Sequence, residues 1–183
     1  VRNALAAIAI ALEMEVPATV IQQSLASFEG IARRFQVHEN CASANAKIIL
    51  VDDYGHHPSE IQAMIQSIRA SWPERRLVLV FQPHRYSRTR DSFDDFTRVL
   101  SEADVLVLSE IYAAGESPLE NADGRALSRA IRARGQVDPV FVETITELPD
   151  VLPGLLHDGD VLAMMGAGDI GEMAAMLSGE WCK

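Results

Sequence analysis

Residues 52–58, Asp-Asp-Tyr-Gly-His-His-Pro, set two carboxylates, a phenol and two imidazoles side by side. Such groups accept hydrogen bonds and protons near neutrality and ligate metals, so several chemistries are open to them. About thirty residues on comes His84-Arg85-Tyr86-Ser87-Arg88, a spacing close to one βαβ unit. Two arginines three apart at a strand end can converge on one carboxylate or phosphate through paired charge-assisted hydrogen bonds. The other arrangement is one arginine on a ligand and one in an ion pair with Asp91, Asp94 or Asp95. A third polar run, residues 110–116 with Tyr112, and the glycine-rich run Gly166-Ala-Gly-Asp-Ile-Gly171 complete the set.

Each of these runs follows an apolar stretch that reads as a buried strand: 47–51, 76–81, 104–109 and 160–165, with a shorter one at 139–143. Helical patterns lie between them at 59–71, 92–103, 122–134 and 170–177, and Pro58 suits the first residue of a helix. Strands alternating with helices specify an α/β fold, a Rossmann-like, mostly parallel sheet with helices on both faces. In such sheets the ligand crevice lies beyond the carboxyl ends of the strands, where these polar runs fall. Residues 34–39 and 47–51 flank an Asn/Ser/Ala-rich turn and suggest a β-hairpin.

The chain has 183 residues, 48% of them hydrophobic, and a formal net charge of −10. Its length allows one full domain plus an extra piece. The acidity argues against nucleic acid, whose binders present a basic surface. Positive charge concentrates at Arg33-Arg34 and at Arg85, Arg88 and Arg90, which suits small anions. Cys41 and Cys182 lack metal spacing and read as reduced thiols of a cytoplasmic protein. The longest apolar run, residues 4–12, is far shorter than the ~20 residues needed to cross a bilayer, so no membrane span is expected. Residues 1–12 read as an uncapped, nearly all-apolar helix, and Pro17 opens a second. Residues 1–31 are therefore expected to be the helical tail of an upstream domain, with an apolar face (Ala4, Leu5, Ile8, Leu12) free for self-association, and residues 32–183 the α/β domain.

Gly166–Gly171 matches GxGxxG, but twelve residues follow Gly171, leaving no room for the second strand and ribose-binding acid of a dinucleotide site. Close packing or anion binding at a helix N-terminus remains. Asp52, Asp53, His56, His57 and His84 could suggest a metal, but adjacent histidines diverge and no HxH or HxxxH occurs, so no metal site is expected. His57, just before Pro58, better fits a role in shaping the helix start. No serine sits in a nucleophile elbow. Tyr54, Tyr86 and Tyr112, one per loop, could line a pocket or pack at its rim.

The runs DDYGHHPSEI, FQPHRYSRTR, EIYAAGESP and GDVLAMMGAGDIG resemble, in this order, the C-terminal part of the Mur ligases of bacterial peptidoglycan synthesis, in particular their alanine-adding branch. NALAAIAIAL and FEGIARRFQ resemble the end of that family's central ATP-binding domain and its junction with the third domain. The resemblance implies an ADP-forming acid–amino-acid ligase. It would use ATP and Mg²⁺, held mainly by the central domain, to activate UDP-N-acetylmuramate as an acyl phosphate for attack by L-alanine. It implies that Asp53 bonds the ATP ribose and that Arg34 lies near the phosphates. His56 would be the catalytic base, and Tyr54, His84, Arg85 and Arg88 would line the alanine site, the arginines on its carboxylate.

The sequence departs from a complete ligase of this kind. No GxxxxGK[ST] loop occurs in the 183 residues, so the chain is expected to be inactive alone. Other readings are a non-catalytic nucleotide- or anion-binding module, a ligase of the murein-tripeptide recycling branch, and a metal-dependent hydrolase centred on Asp52, Asp53 and the histidines.

Overall fold

The computed structural model describes residues 2–28, 30–43 and 46–182. Contacts divide the chain into two compact units, Val1–Ile31 and Ala32–Lys183. The first holds α1 (Arg2–Glu13) and α2 (Ala18–Ala26). Pro17 takes the N-cap position of α2 without a side-chain cap, and no residue of α2 is buried. Leu5, Ile10, Leu12, Val20 and Leu25 are exposed. Two helices this short cannot bury their apolar faces on each other alone.

The second unit is built on a six-stranded sheet in the order β1-β2-β6-β3-β4-β5. Its strands are β1 (Gln36–Ser43), β2 (Ala46–Asp53), β3 (Leu77–Phe81), β4 (Val105–Ser109), β5 (Val140–Val142) and β6 (Val161–Met165). β1 pairs antiparallel with β2, and all other pairings are parallel. The expected hairpin is present, with a register shift between His38 and Cys41; its turn at 44–45 lies outside the described residues.

Alternation along the strands divides the core in two. Ile49, Val51, Leu77, Leu79, Phe81, Leu106 and Leu108 face α3 (Pro58–Ser71), α5 (Phe93–Leu100) and α6 (Gly124–Arg134), meeting Ile61, Ile68, Phe96, Leu127 and Ile131. Ile48, Leu50, Val78, Val80, Val107, Leu162 and Met164 face α7 (Leu148–Leu155) and α8 (Ile170–Trp181), meeting Leu148, Leu152, Met173 and Leu177. Both faces of the sheet are thus covered, which is why its strands are apolar throughout. β2 leads into α3 on one face and β6, beside it, into α8 on the other. Neighbouring strands that feed opposite faces open a crevice at their carboxyl ends, the usual ligand position in such sheets.

Two expectations need correction, and one helix was not foreseen. Residues 86–91 are not loop but a short helix, α4 (Tyr86–Asp91), so Arg88 stands on a helix one turn beyond Arg85. This helix has no long apolar face to reveal it, and Arg85 ahead of it has a positive φ of 74°. α7 was not expected at all, because its prolines and eight-residue length hide the helical period. Cys41 and Cys182 are not free thiols but a disulfide, 141 residues apart. The end of α8 returns beside the bulged part of β1, where the two residues form an antiparallel bridge, a proximity no local pattern encodes. No helix is long and apolar enough to cross a membrane among the described residues.

Candidate active site

β2 ends at Asp52 and Asp53, and the pleat sends their side chains to opposite faces. Asp52 is 5% exposed. Burial raises its pKa, with the nearby Arg33 pulling the other way. The Arg33 guanidinium lies 3.4 Å from that carboxylate and donates to the Gly166 carbonyl at 2.7 Å, so it ties the β2 end to the β6 end. Asp53 accepts from Gly55 N–H at 2.6 Å and from Phe35 N–H at 2.8 Å. It thereby fixes both its own turn and the strand-side arm that carries Arg33 and Arg34. The Tyr54 N–H donates to the Arg33 carbonyl at 2.7 Å, and both guanidinium carbons approach the Tyr54 ring, at 5.2 and 5.3 Å from its centroid.

His57 is the N-cap of α3: its Nδ1 accepts from Ser59 N–H, and Glu60 reaches back to complete a capping box. The role in shaping the helix start is the one its position before Pro58 suggests. His56 is turned instead toward the crevice. Its Nδ1 lies 3.1 Å from the Tyr54 carbonyl. A carbonyl only accepts, so Nδ1 is the donor in this contact, and in the neutral ring Nε2 carries the lone pair. The His56 ring stands edge-on to Tyr54 at 5.5 Å and 5.7 Å from the His84 ring.

The loop after β3 is pinned to the loop after β4. Tyr112 N–H donates to the Pro83 carbonyl, Arg85 N–H to the Tyr112 carbonyl, and the His84 and Tyr112 rings stack at 5.5 Å. Glu116 accepts from the Ser87 N–H at 2.9 Å and hydroxyl at 2.6 Å, which hold its pKa below the ordinary value. Arg85 lies 3.6 Å from the same carboxylate. Its structural partner is therefore Glu116 and not Asp91, Asp94 or Asp95; Asp91 pairs with Arg90. Arg88 is different. Its Nη1 donates to the His84 carbonyl at 2.9 Å and lies 3.2 Å from His84 Nδ1, and among the described residues it has no carboxylate partner. Burial, then the charges of Arg88 and Arg85, push the His84 imidazole below its ordinary pKa, so it is neutral at neutral pH.

Tyr54, His56, His84, Arg85 and Arg88 meet around an open cavity of about 550 Å³, with Ala167 of the β6 loop at its edge. Arg34 and Asp53 adjoin this cavity without lining it: Arg34 lies 3.7 Å from Glu60. Tyr86 is buried in the core, whereas Tyr112 backs the wall through its stack on His84. The glycine-rich loop is a packing device. A Cβ on Gly168 would collide with Gln82 Oε1 and lie 2.6 Å from Tyr112 Cγ, and one on Gly166 would lie 2.9 Å from the Gln82 carbonyl. Buried Gln82 donates to Asp169 at 2.7 Å and accepts from Ile170 N–H at 3.1 Å, closing the β6 loop onto β3. Glu60 and Gln82 were missed in the sequence, and Glu116 was read only as part of the third polar run. Glu60 alone left a signal, the acid three residues after a helix cap.

The site is thus a crevice of arginines and imidazoles, at the switch point of a mostly parallel sheet in an acidic chain. Such an arrangement defines an α/β domain with an arginine- and histidine-lined crevice at its strand ends. Residues 33–168 match the family described as Mur ligase, glutamate ligase domain. The chain is 57% identical over 175 residues to the UDP-N-acetylmuramate–L-alanine ligase of Methylococcus capsulatus, covering 96% of this chain and 37% of that protein. It is 58% identical over 179 residues to that of Halorhodospira halophila, covering 98% and 37%. Its structure is similar to UDP-N-acetylmuramate–alanine ligase from Thermotoga maritima, with a TM-score of 0.73 at 28% identity, covering 97% of this chain and 36% of that one. A murein peptide ligase from Psychrobacter arcticus, 19% identical with a TM-score of 0.66 over 96% and 35%, shares the fold. The chain belongs to the Mur ligase family. It spans 37% of the length of these two curated relatives.

Proposed function

We propose that the chain is the C-terminal, amino-acid-receiving part of an ATP-dependent ligase that joins L-alanine to UDP-N-acetylmuramate, residues 1–31 being the tail of its ATP-binding domain. In the proposed reaction the γ-phosphoryl group of ATP passes to the muramyl carboxylate, and ADP leaves. The neutral amine of alanine then attacks the acyl carbon, the bond to phosphate breaks, and the amine's proton goes to a base.

The observation that carries this reading is Arg88, a half-buried guanidinium with no carboxylate partner among the described residues, beside two histidines in one cavity. Arg88, with Arg85, would hold the alanine carboxylate; arginine never loses its proton, so it binds without competing for the one the amine must shed. His56, with its Nε2 lone pair left free by the Tyr54 carbonyl, is the better acceptor for that proton. The Nδ1 of His84 faces Arg88, and this ring with Tyr54 would form the walls. Asp53 keeps unused lone pairs on both oxygens for ribose hydroxyls, and Arg34 stands beside it for phosphate. Mg²⁺ finds no fitting cluster of ligands among the described residues; we assign it to the rest of the ligase and route no step here through it.

The test is alanine and ATP saturation in the complete ligase carrying His56→Ala. Loss of alanine turnover with ATP dependence retained is expected. Unchanged turnover would overturn the assignment of the base. The 183-residue chain alone should not hydrolyse ATP, since it has no phosphate-cradling loop.

A further inference from the structure

Glu60 contacts both His56, which lines the crevice, and Arg34, which adjoins it. Its Oε2 accepts from His56 N–H at 2.9 Å and His57 N–H at 3.0 Å, and lies 3.9 Å from His56 Nδ1. Its Oε1 lies 3.7 Å from Arg34 Nη1. Arg34 also rests over the Tyr54 ring, whose backbone carbonyl orients His56. A capping glutamate needs only the N–H contacts at the helix start. The second oxygen, turned to the arm that precedes β1, is surplus to that role.

We propose that Glu60 is a positioning residue that locks His56 and Arg34 into one frame, so that the amino-acid side and the nucleotide side of the crevice are set together. This rests on the functional reading above. Burial works to raise the pKa of this carboxyl, but the two N–H donors and the charge of Arg34 outweigh it and hold it below the ordinary value. It is therefore ionised throughout the neutral range. Any coupling through such a shared contact is reciprocal between the two sides.

Two variants separate positioning from capping. Glu60→Gln keeps an oxygen for the N–H groups and removes the charge, whereas Glu60→Ala removes both. In the complete ligase, Glu60→Gln should keep the thermal midpoint and raise the KM for both alanine and ATP by roughly two- to five-fold, the range of an exposed ion pair, with kcat changed less. In an Arg34→Ala background the same change should no longer move the ATP curve. A Glu60→Gln enzyme with both curves unchanged overturns the proposal, as does full additivity with Arg34→Ala. If Arg34→Ala leaves the ATP curve unchanged and His56→Ala leaves the alanine curve unchanged, the functional reading fails instead. Glu60 is then judged by proton NMR of the 183-residue chain: loss of the Tyr54 ring-current shift on the Arg34 side-chain protons in Glu60→Gln supports positioning, and its retention refutes it.

Discussion

Truncating Arg88 to alanine should weaken the use of alanine far more than the same change at Arg85. The structure sets the difference. Arg88 spends Nη1 on the His84 carbonyl and ring, and its remaining N–H groups have no protein acceptor among the described residues. Arg85 is about half exposed and already lies 3.6 Å from Glu116, so a ligand carboxylate there competes with a resident one. A hydrogen bond to a charged group contributes about 1.5–3 kcal/mol, equivalent to roughly ten- to a hundred-fold in affinity. Arg88→Ala should therefore raise the alanine KM by about that factor, and Arg85→Ala by no more than several-fold. Arg88→Lys should recover only part of the loss, because an ammonium cannot present a planar fork to a carboxylate. The assay is initial-rate ligation in the complete enzyme, with alanine and ATP each varied at saturating partner. The ATP curve should move little, closure of the domains aside. Equal losses at Arg85 and Arg88, or none at Arg88, would refute the argument from partners, and the loop around Tyr112 and Glu116 would become the next candidate.

Other outcomes follow from the same contacts. Asp53→Ala frees the Phe35 and Gly55 N–H groups and should cost about 2–4 kcal/mol of folding stability besides raising the ATP KM; a denaturant midpoint equal to wild type would show that the anchor is dispensable. Gly168→Ala drives a Cβ into Gln82 and Tyr112 and should cost about 1–3 kcal/mol, with near-ultraviolet circular dichroism of the tyrosine altered; an unperturbed spectrum and midpoint would contradict it. Unreduced protein should show no titratable thiol, and Cys41→Ser should lower stability by about 2–5 kcal/mol, given the long loop closed; two free thiols in the native chain would disprove the cross-link. The pKa of His84 is depressed by folding, mainly through burial. Its contribution to stability is fully present above the unfolded value near 6.5 and is lost as pH falls through the folded value. Arg88→Ala should shrink this acid-side loss, read from unfolding free energies across that range, and an identical pH profile would argue against their coupling.

The strands and their loops were legible because a doubly covered parallel sheet demands unbroken apolar runs, and 47–51, 76–81 and 160–165 have them. The insertion of β6 between β2 and β3 was not legible, since every parallel strand here carries the same pattern. That order brings Gly166 beside Arg33 and Asp53. The short α4 was hidden for a related reason: it buries only Tyr86 and Thr89, too few to make a period. Among site residues, chemistry-bearing types in the loops could be read directly, but not which were already engaged. Asp53 looked like a free carboxylate, and the fold gives both its oxygens backbone donors. The sequence pointed to aspartates as partners for the arginines, whereas Glu116 supplies the contact from a different loop.

Commitment of charge, more than its presence, ranks the residues of this crevice. Four arginines stand at its rim or within it. Arg33 is held by Asp52 and the Gly166 carbonyl, Arg34 by Glu60, and Arg85 by Glu116. Each of these pairs also fastens one strand-end loop to another segment, so removing the arginine disturbs architecture as well as charge. Arg88 alone is held only by neutral groups, the carbonyl and ring of His84. A guanidinium kept half-buried without an anion leaves part of its desolvation uncompensated, and an incoming carboxylate would supply the missing partner. The same contact aligns the His84 carbonyl and ring, which in turn stack on Tyr112 and face His56. An anion at Arg88 would therefore reach both imidazoles of the crevice through contacts already in place.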